Sequence, residues 1–190
     1  MQIRLISFFF SLLFIPSFLL AEDIPKYKRS YFGNWQDFDG DCQNTRHELL
    51  QKLSTSTYTL TDNTCRVLTG RWLDPYTNKV FTQSKDIDID HLVPLSYAWR
   101  HGAFSWSKDK RMKFANDERN LFAIQSSVNR EKSDSGPLKW LPPNVAFRCE
   151  YILRFKRITT IYDLKMSAAE ADGTEELQRQ YCSMSNQDNE

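Results

Sequence analysis

Leu5 to Leu20 is an apolar run rich in Phe and Leu, preceded by Arg4 and followed by Ala21 and the polar pair Glu22-Asp23. A positive start, an apolar centre and a small residue at the end predict an export signal cleaved after Ala21, and hence a secreted or periplasmic protein. The run is short for a membrane span and is broken by Ser11, Pro16 and Ser17. Beyond it, Tyr27 to Gly40 is aromatic and polar without a period, which predicts an extended segment packed on the domain. Asn44 to Leu53 places Leu49, Leu50 and Leu53 on one side of a helix, with Asp41 or Asn44 as cap. Tyr58 to Leu60 and Arg66 to Trp72 are strand-like, and Asp74-Pro75-Tyr76-Thr77-Asn78 is a turn.

Lys85 to His91 alternates charged and apolar residues, the pattern of a half-buried strand. Leu95 to His101 and Ser107 to Ala115 form short helices, the second capped by Ser107. Leu121 to Ile124 is a second apolar strand, and Ser126-Ser127 caps a helix containing Asn129. Pro137 and Pro142-Pro143 break the chain before amphipathic helices over Phe147 to Ile161 and Ser167 to Tyr181. Strand, excursion, strand and helix thus fill residues 85–134 of an α+β fold, and the chemistry is expected there.

Composition adjusts this picture in two places. Without its leader the chain keeps about 170 residues, enough for one domain (22–190) with a real core. Its four cysteines, Cys42, Cys65, Cys149 and Cys182, form no C-x-x-C pair, so in an oxidising compartment they predict two disulfides rather than a zinc ribbon. Three pairings are possible; Cys42–Cys65 with Cys149–Cys182 closes the shortest loops. The net charge of +1 argues neither for nor against nucleic acid. Its distribution is uneven, with basic residues predominating from Arg100 to Lys165 and an acidic tail after Met166. A phosphate-attracting surface would come from the middle of the chain.

Hydrolysing a phosphodiester requires a base for the attacking water and a cation for the charge that grows on phosphate. A neutral histidine suits the first task, and a hard divalent cation with oxygen ligands and open positions suits the second. His91 supplies the imidazole; Asp90 and Asn129 offer a carboxylate and an amide carbonyl. Neighbours in a strand point to opposite faces, so Asp90 and His91 can serve one site only if the strand ends or bends between them. Pro94 favours such an ending.

Asp88-Ile89-Asp90-His91-Leu92-Val93-Pro94-Leu95, Asn120-Leu121 and Asn129-Arg130-Glu131-Lys132-Ser133-Asp134 together resemble the HNH signature of the His-Me finger (ββα-metal) superfamily. The closer resemblance is to exported bacterial HNH endonuclease-family proteins related to the nuclease domain of GmrSD-type restriction enzymes. It extends to Asn34-Trp35, Asp39 to Arg46, Gly70 to Thr77, Phe114 to Asp117 and Trp140 to Pro143, most of the chain to about Leu164. The resemblance implies His91 as general base, Asp90 and Asn129 as ligands of one Mg²⁺ or another divalent cation such as Mn²⁺, and Asn120 as the brace of the loop presenting His91. It also implies an endonuclease acting on DNA, with RNA as a second candidate and little sequence preference. Arg130 and Lys132 are candidate phosphate contacts, and Ser133 stands where relatives often carry Gly. Asp88 either supports the site or faces solvent. The rival reading is an exported protein that binds nucleic acid or an envelope partner without cleaving it.

Overall fold

A computed structural model describes residues 23–187; the expected leader lies outside them, as do residues 188–190. Helix α1 (Thr45–Leu53) is followed by strands β1 (Thr59–Leu60), β2 (Val67–Asp74) and β3 (Lys79–Gln83) and then by β4 (Ile87–His91). Helices α2 (Leu95–Arg100) and α3 (Lys108–Ala115) fill the excursion before β5 (Leu121–Gln125). Helix α4 (Ser126–Lys132) follows without a loop, and α5 (Arg148–Ile161) and α6 (Ala168–Gln187) complete the α+β fold. Asn44 caps α1 through the His47 amide and Ser107 caps α3 through the Lys110 amide, as their positions predict. β3 is an addition to the expected set: it follows the Asp74–Asn78 turn and pairs antiparallel with β2.

β1, β2 and β3 form one antiparallel sheet, and β4 and β5 form a second ribbon. In the ribbon Ile89 faces Ala123, Asp90 faces Phe122 and His91 faces Leu121. The period-2 alternation then divides the side chains between two cores. Ile87, Ile89, Leu121 and Ala123 pack with Leu49, Leu50, Val67 and Trp72 from α1 and β2. Ile124 belongs to the larger core, which holds Tyr97 and Trp99 of α2, Phe114 of α3, and Tyr151, Ile152 and Phe155 of α5. The ribbon therefore lies between two hydrophobic clusters, with α4 directly behind it.

Two disulfides staple the periphery: Cys42–Cys65 joins the segment before α1 to the one before β2, and Cys149–Cys182 joins α5 to α6. This is the shortest-loop pairing. Of the segment expected to pack from Tyr27 to Gly40, the part to Gln36 rests on the domain and contains a 3-10 turn, Arg29–Phe32, whereas Asp37 to Gly40 is exposed. Phe32 is fully buried, Tyr31 stacks on Trp99 with ring centroids 4.9 Å apart, and the Trp99 indole N–H donates to the Pro25 carbonyl at 2.6 Å. The helix expected over Ser167 to Tyr181 is present as α6, which carries the acidic stretch as far as Gln187 and is joined to α5 by Cys149–Cys182. No helix among the described residues is long and apolar enough to cross a membrane.

Candidate active site

Pairing in the ribbon stops at His91, and Pro94 starts α2 three residues later. Asn120, wholly buried, holds the intervening turn. Its side-chain oxygen accepts from the Val93 amide at 2.8 Å, its nitrogen donates to the Val93 carbonyl at 3.2 Å, and its own carbonyl accepts from the Leu92 amide at 2.8 Å. These three bonds fix the backbone just beyond His91.

His91 is half-buried, with its ring parallel to that of Trp35 and the centroids 5.2 Å apart. Its Nε2 lies 2.8 Å from the Ala115 carbonyl. A carbonyl can only accept, so Nε2 carries the proton and Nδ1 holds the free lone pair. Burial pulls the imidazole pKa down to about 3, against the Ala115 bond, with the charges of Arg29 and Lys132 acting in the same direction as burial. At neutral pH the ring is uncharged and Nδ1 is unprotonated and able to accept, although burial makes it a weaker base than a free imidazole.

Asp90 points to the other side of the strand, toward α4 and the turn after β2. It is 5% exposed, and both oxygens are engaged. Oδ1 accepts from the Lys132 ammonium at 2.9 Å and Oδ2 accepts from the Tyr76 hydroxyl at 2.8 Å. Burial pushes the Asp90 carboxyl above its ordinary value, against the pull of Lys132 and Tyr76; burial likewise pulls the Lys132 ammonium down. Lys132 also donates to the His91 carbonyl at 2.8 Å, so one ammonium ties the strand end to α4.

This corrects the expectation that Lys132 meets a phosphate. It is fully buried, because α4 turns Val128 and Lys132, four residues apart, onto the ribbon. Arg130 lies on the exposed side of α4 and does not line the groove described below.

Asn129 and Asp88 meet behind the strand. The Asn129 amide nitrogen donates to Asp88 Oδ2 at 3.1 Å, and the Ser126 hydroxyl donates to Oδ1 at 3.0 Å. Asp88 thus orients α4 rather than facing solvent. The bond also leaves the Asn129 side-chain oxygen, Oδ1, without a protein donor among the described residues.

Despite their divergent directions, Asp90, His91 and Asn129 wall one open groove of about 300 Å³, with Tyr27, Arg29 and Asp134 on its rim. Contrary to the sequence expectation, the strand neither ends nor bends between Asp90 and His91: both residues pair within β4, and their side chains leave opposite faces. The groove reaches both because pairing stops directly after His91. The oxygen donors lining it include the Asp90 and Asp134 carboxylates and the Asn129 side-chain amide, the hard donor type that divalent cations such as Mg²⁺ take. Asp90 retains lone pairs beyond its two hydrogen bonds, so it can still accept from a further partner, although its charge is already met by Lys132.

Sequence reasoning missed Tyr76, Lys132 in its buried role, the Ala115 carbonyl and the Trp35 stack. Three of these lie in the flanking blocks quoted above, and each block delivers one contact: Trp35 to the His91 ring, Ala115 to Nε2, and Tyr76 to Asp90.

Comparison with known proteins fits this arrangement. The family model described as GmrSD restriction endonucleases, C-terminal domain, matches residues 43–172. The chain belongs to that family. Membership of the GmrSD C-terminal family points to a nuclease-related function. A relative in Arthroderma benhamiae, named only as an uncharacterized secreted protein, is 39% identical over 146 residues, covering 76% of this chain and 70% of its own. A secreted relative and two disulfides are both consistent with export. No solved structure matches.

Proposed function

We propose that this GmrSD-family chain is an exported, metal-dependent HNH endonuclease that hydrolyses DNA, and RNA as a second substrate, with little sequence preference. We take its mature form to be one domain over residues 22–190, released by cleavage after Ala21. The observation that supports the reading is the His91 tautomer: Nε2 is committed to Ala115, which leaves Nδ1 unprotonated and able to accept, on a ring that lines a groove with Asp90 and Asn129. In that role Nδ1 takes a proton from water as the water oxygen bonds to phosphorus and the bond to the 3′ oxygen breaks. Asp90 and Asn129 would hold Mg²⁺ or Mn²⁺, which when bound supplies charge stabilisation to phosphate and leaving oxygen. Trp35 and Ala115 fix the ring that accepts the proton, and Asn120 fixes the turn that follows it.

The test is cleavage of plasmid DNA and of RNA by the mature protein, with Mg²⁺ and with EDTA, beside His91→Ala. Wild type is expected to cut only with metal, and the variant to lose at least about a hundredfold in rate. An intact plasmid across divalent metals would sink the nuclease reading and leave the non-cleaving binder. A variant that cuts as fast as wild type would sink the assignment of His91.

A further inference from the structure

A nuclease groove must attract a phosphate, yet the two cations expected to do so are elsewhere: Lys132 is buried on Asp90 and Arg130 does not line the groove. Among the residues that wall the groove, one is a Lys or Arg, and it is Arg29. It comes from the N-terminal segment, ahead of the matched stretch that begins at residue 43. The carboxylates on the groove do not occupy it. Asp90 is paired with Lys132 and Asp134 with Arg100, and Arg29 takes part in no ion pair among the described residues. One guanidinium N–H donates to the Gly33 carbonyl, which leaves donors of the planar fork unused and exposed.

The segment is held in place on both sides of Arg29. Pro25 accepts from the Trp99 indole, Tyr31 stacks on the same indole, and the Tyr31 carbonyl accepts from Arg111 Nε at 3.0 Å. Phe32 is locked in the larger core against Trp99 and Phe114. The backbone at Arg29 is therefore positioned, although its side chain lies in water. A guanidinium so placed, with free donors in a fork that matches two phosphate oxygens, suits a phosphodiester better than a carboxylate already paired elsewhere.

We propose that Arg29 binds a backbone phosphate of the nucleic acid in the His91 groove, so that the N-terminal segment completes a substrate site the matched domain lacks. The proposal rests on the nuclease reading. It assigns the segment from Tyr27 to Gly33 a binding task as well as a packing one, and predicts that Arg29 contributes affinity without reading bases.

The test uses the full mature protein and a fluorescein-labelled DNA duplex. In the His91→Ala background, binding is followed by anisotropy over a range of salt concentrations for Arg29→Ala, Arg29→Lys and Lys28→Ala; Lys28 lies over the Tyr31 ring. Arg29→Ala is expected to weaken binding about tenfold or more and to reduce the log–log salt slope by about one, the loss of one phosphate contact. Arg29→Lys should restore part of the affinity and the full slope, while Lys28→Ala should leave both unchanged. In the active background Arg29→Ala should raise KM with a melting temperature equal to that of wild type.

If wild type cuts DNA but Arg29→Ala binds and cuts as wild type does, the Arg29 proposal fails and the nuclease reading stands. If wild type neither binds nor cuts DNA, both fail. Equal losses in Arg29→Ala and Lys28→Ala would mean a diffuse field rather than a phosphate contact, and would also overturn the proposal.

Discussion

Lys132 has no water to solvate its ammonium, and Asp90 has almost none for its carboxylate. Each depends on the other, with the Tyr76 hydroxyl and the His91 carbonyl as the remaining partners. A buried pair of this kind is weak support for stability as a pair, but separating it leaves an uncompensated group in the interior. Lys132→Met is therefore expected to cost about 3–5 kcal/mol in urea denaturation. Adding Asp90→Asn to the same chain should return part of that loss, because the remaining groups are neutral. A single variant that loses less than about 1 kcal/mol would show that Asp90 is compensated by something other than Lys132. The sequence does not reveal this pair. Lys132 sits in the polar run Asn129-Arg130-Glu131-Lys132-Ser133-Asp134, which has the look of a solvated face, and its partner lies 42 residues upstream. Tyr76 hides in the same way. It stands in a Pro- and Asn-containing turn, where exposure is the default, yet it is fully buried among Phe122, Trp140, Phe147 and Tyr151. Ser133 gives the converse case. Its φ of +53° lies in the region that favours glycine, which accounts physically for the Gly expected in relatives at this position.

The elements that depend on local periodicity were legible in the chain. The caps at Asn44 and Ser107 and the alternation before His91 act within a few residues, so sequence spacing carries them. β3 was not legible, because its residues lack a buried face: Lys79, Val80, Thr82 and Gln83 are exposed, and Phe81 is half-buried. Its partner strand defines it. Helix α6 was expected, but its docking was not, and that docking carries a pH signature. Ser167 and Glu170 form a reciprocal cap: the Glu170 amide donates to the Ser167 hydroxyl oxygen at 3.2 Å, and Glu170 Oε2 accepts from the Ser167 amide at 3.0 Å. Oε1 of Glu170 meets His101 Nε2 at 2.9 Å, which ties α6 to α2. Burial pushes the Glu170 carboxyl up, but the bonds from Ser167 and His101 outweigh it and hold the group below its ordinary value. A depressed folded-state pKa contributes stability above the unfolded value, and that contribution is lost as pH falls through the folded one. Glu170→Gln should accordingly melt below wild type at pH 7, and the gap should close as pH drops beneath about 4. Paired thermal melts across that range check this. A gap that stays constant with pH would mean that the Glu170 charge does not hold α6.

At the scale of the whole molecule, the chemistry sits at the junction between two cores, and the disulfides lie away from it. Cys42–Cys65 belongs to the side of α1 and β2, and Cys149–Cys182 to the side of α5 and α6; neither pair lines the groove at His91. The groove is held instead by the β4–β5 ribbon, by Asn120 across the turn, and by α4 through Asp88 and Lys132. Stability and site geometry should therefore separate under mutation. Removing Cys149–Cys182 with paired Ser substitutions opens a loop of sequence separation 33. That change is expected to cost about 3–4 kcal/mol in the chain-entropy model. It also leaves α6 its remaining ties to α5, through Lys156 with Glu175 and Gln178 and through Arg148 with Tyr181. The variant should thus unfold at lower urea concentration while cleaving DNA at the wild-type rate at 20 °C, since no group in contact with His91, Asp90 or Asn129 has moved. Urea titration and a cleavage time course on the same preparation provide the comparison. If the cleavage rate instead falls with the disulfide while the protein remains folded, then α6 reaches the groove through α2 and the chain from Asp134 to Lys139. Helix docking would then belong to the active site as well as to the core.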